Sequence, residues 1–292
     1  LLLQNAGGTM IQANAITANM QSMFSVPPIM TIIGVIVLIS LMIAGGMKRI
    51  GSISQRVVPF MAAFYVIGGI IVICMNISSL PTVFVTMFQS AFFFFFCVGG
   101  VLGYSIRESM RYGVARGLYS NEAGEGTAAV LHASAKVDHI GKQAIFGVTE
   151  VFVDTIVICS ISAIVILTTG VSDTGASPAV LVSMAYGTVH PMFEYIVGLT
   201  TVVFGFLSMV AQWYLGNTAI EYIIGNKKSV FYKYIFIVLI IFGGWVNLSL
   251  VWSIQDSILG ILIIPNIIAL ILLRKKIKER TDEYLTLVNH LK

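Results

Sequence analysis

Of 292 residues, 57% are hydrophobic and 10% charged, with a mean hydropathy of +0.93, whereas soluble domains carry roughly 25% charged residues. The composition is that of an integral membrane protein, with room for about eight spans of some 20 residues. The net charge of +4 does not mark a nucleic-acid binder, because the Lys and Arg residues can all be assigned to loops on one side of a bilayer.

Leu1 to Phe24 places Gln4, Asn5, Gln12, Asn14 and Asn19 among Leu, Ile and Met. So many amides predict a helix that faces protein rather than lipid. The chain begins inside this apolar segment without a methionine, so an N-terminal truncation is expected. A turn at Ser25 to Pro28 leads into an apolar span, Ile29 to Gly46, with Pro28 suited to a first helical turn. Arg56 and Pro59 open a third span that ends near Asn76. The fourth begins at Val83 and meets Gly99, Gly100 and Gly103 near mid-bilayer.

Each glycine costs a helix interior about 1 kcal/mol relative to alanine, and backbone freed in hydrocarbon needs protein or a water-lined cavity to receive it. A break here therefore predicts a site: freed N–H groups would hold a substrate carboxylate, and freed carbonyls a cation. Tyr104 and Ser105 follow with side chains able to reach a polar ligand. Gly99 and Gly103 also form a G-x-x-x-G that allows close helix packing without a break, and both readings are open at this point.

The longest polar stretch, 107–143, precedes a fifth span at Ala144 to Thr169. Phe193 to Ile220, Val230 to Leu250 and Ile258 to Leu273 are the sixth to eighth, with a kink expected at Pro265. Residues 1–273 form the expected transmembrane domain, and 274–292 a basic cytoplasmic tail. With that tail inside, the loops at 47–56, 107–143 and 225–233 take the remaining Lys and Arg. The opposite loops, near 25, 76–82, 170–192 and 251–257, contain none.

Glu150 and Asp154 lie four apart on one helix face, as either an ion relay or partners for a neighbouring Arg or backbone group. Asp256 is expected at the outer interface. Ser208, Gln212 and Trp213 interrupt the apolar sixth span. Cys74, Cys97 and Cys159 fall in apolar runs and read as buried hydrophobes, and the four histidines show no zinc-ligand spacing. No G-x-S-x-G, H-E-x-x-H or phosphate loop is present, so no enzymatic activity is expected.

Arg116-Gly117-Leu118-Tyr119-Ser120-Asn121-Glu122-Ala123-Gly124 resembles the signature of the alanine or glycine:cation symporter family. Ordered companions are Gln12-Ala13-Asn14, Gly45 to Gly51, Val58 to Ala62, Val151 to Thr155 and Pro265-Asn266. The resemblance implies the leucine-transporter fold, with two inverted five-helix repeats. This all-α chain would supply about eight spans, core helices three to ten, including one broken helix.

It further implies sodium- or proton-driven symport of alanine or glycine by a monomer in the inner cell membrane. The C-terminus would be cytoplasmic, and no cofactor beyond the coupling sodium is expected. The implied substrate residues are Gly99, Gly100, Val101, Gly103, Ser105, Gln12, Met209 and Trp213, with the cation at Ser208. Val101, Met209 and Glu125 depart from the family pattern. Ser120, Asn121, Glu122, Gly124 and Asp154 form a gating and structural signature, in which a capped helix tied by charge to Arg116 or Arg111 closes the inner gate. A channel, or a scaffold using its glycines for packing, is the alternative.

Overall fold

The computed structural model describes residues 2–44, 47–92, 101–225 and 231–290. The elements are helices throughout: α1 Leu2–Phe24, α2 Pro28–Ala44, α3 Met47–Met75, α4 Leu80–Phe92, α5 Val101–Asn121, α6 Thr127–His132 and α7 Ile140–Phe152. A π-helical turn, Val153–Ile158, joins α7 to α8 Cys159–Thr169. Then follow α9 Leu181–Gly187, α10 Pro191–Ile224, α11 Tyr232–Trp245 and α12 Leu248–His290. Among the described residues, four stretches are long and apolar enough to cross a membrane: Ser54–Met75, Ile140–Thr169, Pro191–Ile224 and Leu248–Asn289. Helix starts follow local chemistry. Pro191 takes the first position of α10, and His190 Nδ1 accepts from Met192 N–H at 3.1 Å.

The amide-rich α1 is the element around which the others gather, packing against α2, α10, α11 and α12. Gln4, Asn5, Thr9 and Asn19 are fully buried, as a protein-facing helix requires. Small residues permit the close approach. A methyl group at Gly243 of α11 would lie 2.4 Å from Met10 Cα and 2.5 Å from its carbonyl oxygen. One apolar core joins Ala13 and Ile16 of α1 to Ile32 and Ile39 of α2, Met209 of α10, and Phe236 and Ile240 of α11. A second unites Tyr65 and Val72 of α3 with Val165 of α8 and Tyr186 of α9.

Side chains of α1 also take up backbone groups at the ends of its neighbours. Asn14 Nδ2 donates to the carbonyls of Gly243 at 3.1 Å and Val246 at 2.9 Å, where α11 ends. Asn19 Nδ2 donates to Ala179 O at 2.9 Å in the loop before α9.

Three expectations change. The helix that was to end as a span at Leu273 runs unbroken from Leu248 to His290 with Pro265 inside it, so the basic tail continues the same helix. The charge assignment fails for two arginines. Arg111 and Arg116 line a cavity with Pro28, Ser177 and Pro178, residues of connections expected on the opposite side. Of the expected glycine break, Gly99 and Gly100 lie outside the described residues, while Val101, Gly103 and Ser105 are in continuous helix, and a further interruption comes at 122–126.

Gly243→Ala is expected to cost at least about 2 kcal/mol through backbone overpacking, read as a lower apparent melting temperature in detergent. Gly34→Ala, where nothing lies within 4 Å of the added carbon, should leave that temperature unchanged or raise it. Asn14→Ala should cost about 1–3 kcal/mol by orphaning carbonyls, in the same assay.

Candidate functional site

The helical path of α5 stops at Asn121 because the chain turns left-handed. Glu122 has φ 51°, Gly124 φ 103° and Gly126 φ 83°. Glycine accepts that region freely, and a glutamate there is uncommon. Glu122 N–H still reaches Leu118 O at 3.0 Å, while Glu125 N–H turns back to Glu122 O at 3.1 Å. The carbonyls of Tyr119, Ser120 and Asn121 receive no backbone donor among the described residues, as expected of a helix end without a continuing turn.

Three elements hold this break, and a fourth backs one of them. From α12, Asn266 Nδ2 donates to Gly124 O at 2.8 Å. From the π-helical turn, Asp154 accepts from Ser120 Oγ at 2.6 Å, and Thr155 Oγ1 accepts from Asn121 Nδ2 at 3.1 Å. From α10, Gln212 Nε2 reaches Glu122 Oε1 at 3.5 Å. Gln212 in turn lies against Gly8 of α1, where an added methyl group would stand 2.9 Å from Nε2. Asn121 Oδ1 accepts from Ala123 N–H at 2.9 Å, closing a local turn. The expected cap of the following helix is absent, since α6 starts from Gly126 without a side-chain cap.

Two cavities meet the broken helix from different sides. One, of about 920 Å³, is lined by Ser120, Asn121, Glu122 and Asp154 together with His132 and Glu150. His132 Nε2 is 3.1 Å from Glu150 Oε2, so Glu150 serves a histidine rather than an arginine. The other, of about 740 Å³, lies beside α5 and includes Asn14, Arg116, Trp252 and Asp256. Arg116 pairs with Asp256 through two contacts of 2.6 and 3.3 Å and stacks 3.7 Å above the Trp252 ring. Trp252 meets Tyr119 edge-on at 4.9 Å. The charge tie expected between Arg116 and Glu122 is therefore replaced by Arg116 with Asp256 and Glu122 with Gln212.

Several sequence-derived candidates come together. Gln12, Ser120, Asn121, Glu122, Gly124, Asp154, Met209 and Trp213 belong to elements that meet at the break. Met209 is fully buried in the core shared with Ala13 and Ile16, with Trp213 packed against it. The Trp213 indole N–H and Gln212 Oε1 are buried without a partner. Ser208 shares the α10 face of Gly205 and Gln212, three or four residues away; that face meets α1, since an added methyl at Gly205 would stand 3.3 Å from Gln12 Oε1. Sequence reasoning missed Tyr119 and Trp252 as a layer over this region. Tyr119 sat within the signature, but no spacing links it to Trp252, 133 residues later.

Residues 1–291 match the family model described as the sodium:alanine symporter family. The chain is 35% identical over 281 residues to the sodium/alanine symporter AgcS of Methanococcus maripaludis, covering 95% of this chain and 61% of that protein. It is 34% identical over 292 residues to the transporter YflA of Bacillus subtilis, covering 98% and 62%. With the sodium/proton-dependent alanine carrier protein of Bacillus sp. PS3 it shares 33% over 285 residues, covering 91% and 63%. The chain thus spans about three-fifths of the length of these relatives. A match along the whole chain, carried by a signature that folds into the break itself, makes this polypeptide a member of the sodium:alanine symporter family.

Proposed function

We propose that this protein moves a small neutral amino acid, alanine or glycine, together with a sodium ion by alternating access around the break at 122–126. The observation that carries the reading is that break itself, lining one cavity, with helix-end carbonyls left without a backbone donor and a second cavity earlier along the same helix. Irregular backbone at membrane depth is tolerated where it lines a cavity, and such breaks hold ligands in secondary transporters. The names of the relatives, a sodium/alanine symporter and a sodium/proton-dependent alanine carrier among them, support the same class.

In this scheme Gln12, Tyr119 and Trp213 orient the substrate, and buried Met209 limits its side chain to a methyl group or hydrogen. The cation lies toward Ser208. Beside the glycine stretch first expected to supply freed backbone, of which Gly99 and Gly100 lie outside the described residues, the break adds the free carbonyls of Tyr119, Ser120 and Asn121. Arg116, Asp256 and Trp252 close one access path over Tyr119. The Ser120–Asp154 and Asn121–Thr155 contacts tie the break to the π-helical turn on the other. Such turns mark functional positions because they re-aim side chains without ending the helix. Coupling follows if sodium and substrate favour the same closed state, since only differential binding shifts an equilibrium between conformations.

Sodium-driven accumulation of alanine in proteoliposomes above the external concentration is the expected result; a channel would stop at equality. In that assay Gln12→Ala and Trp213→Ala should raise the KM for alanine at least about tenfold, a loss near 1.4 kcal/mol, while uptake still requires sodium. Arg116→Gln should open one path. With Cys74, Cys97 and Cys159 replaced by Ala, a Gln12→Cys reporter should label faster with a membrane-impermeant thiol reagent when Arg116→Gln is added, and at an unchanged rate if the arginine does not close that path.

A further inference from the structure

Glu125 is the acidic residue of the break to which the scheme above gives no role. It is 5% exposed, and neither carboxylate oxygen has a hydrogen-bond partner. Its own N–H is fixed to Glu122 O at 3.1 Å, so two carboxyl-bearing residues stand at the ends of one turn. Among the described residues the groups that act on it electrostatically are Glu122 and the Tyr119 phenol of α5. The neighbouring helices meet the same turn with uncharged amides: Asn266 from α12 holds Gly124, and Gln212 from α10 holds Glu122.

An ionised carboxylate buried without a donor is among the costliest arrangements in a protein. It is relieved by taking up a proton or a cation, and a second carboxyl nearby increases the demand. Glu122 has Gln212 as a donor and Glu125 has none, which places the demand on Glu125.

We propose that Glu125 is a proton-binding site and that the proton it holds in the closed state travels with the substrate, adding a proton to the sodium-driven cycle. The proton enters from the side facing the donor solution. It leaves to water when the break is hydrated on the opposite side, so Glu125 alternates between a buried acid and a hydrated carboxylate. The inference rests on the symport reading and is tested apart from it.

The protein is reconstituted in liposomes with a fixed sodium gradient, and the steady-state accumulation of radiolabelled alanine is compared with and without a one-unit pH gradient, acidic outside. One coupled proton raises the accumulation ratio about tenfold, the equivalent of 1.4 kcal/mol. E125Q should keep sodium-driven uptake and lose that rise. E125M, which places an apolar residue there, should do the same if E125Q folds poorly. A protonated-carboxyl band in the infrared spectrum of the wild-type protein near neutral pH, missing from the variant, identifies the group.

Equal responses of variant and wild type to the pH gradient would overturn the proposal. So would a wild type that accumulates alanine but ignores the gradient, and in that case the symport reading stands. Failure of the wild type to accumulate alanine under any gradient would instead remove the symport reading beneath it.

Discussion

A carbonyl oxygen left unpaired in hydrocarbon is costly, and this fold meets that constraint with side-chain amides at several places where the regular helix stops. Asn14 collects the carbonyls of Gly243 and Val246 where α11 ends. Asn19 reaches Ala179 in the loop before α9, and Asn266 holds Gly124 inside the break. Each is a side-chain amide standing in for the backbone donor that a continued helix would provide. The polar character of α1 is thus structural in origin, since it lets neighbouring helices end and bend within the bundle.

Once those ends are held, the break can remain open at its own carbonyls. Glu122 in left-handed conformation stores strain that the Gln212 and Ser120–Asp154 contacts sustain together, and residues so constrained cluster where ligands bind or conformations switch. The π-helical turn at Val153–Ile158 contributes by aiming Asp154 and Thr155 at successive residues of the broken helix. A regular helix would turn them further apart. One cavity is lined by Ser120, Asn121 and Glu122 at the break, and the other by Arg111, Tyr112 and Arg116 earlier on the same helix.

The ion pair of Arg116 and Asp256 owes its character to its surroundings. Its side chains are partly exposed, so the Coulomb attraction is weakened by water and contributes modestly to stability. Stacking on Trp252 orders the guanidinium and covers Tyr119 beneath it. A contact that is ordered yet inexpensive to open suits a gate better than a buried pair would.

The sequence by itself determined the membrane class from its hydropathy, the protein-facing role of α1 from its amides, and the family from the signature at Arg116 to Gly124. These are local properties, carried by composition or by consecutive residues. The place of the break was not determined that way. Gly103 lowers helix propensity, yet Val101 to Asn121 is helical, while an interruption falls at 122–126. Propensity differences of about 1 kcal/mol per glycine are outweighed by the side chains of α8, α10 and α12 that hold the chain where it turns. Likewise Asp256 was expected at an interface and Arg116 on the other side of the membrane, and their pairing across 140 residues arises from helix packing. Only the tertiary structure decided these contacts, because charge counts assign loops to sides but carry no information on how deeply a helix inserts or which face it turns inward.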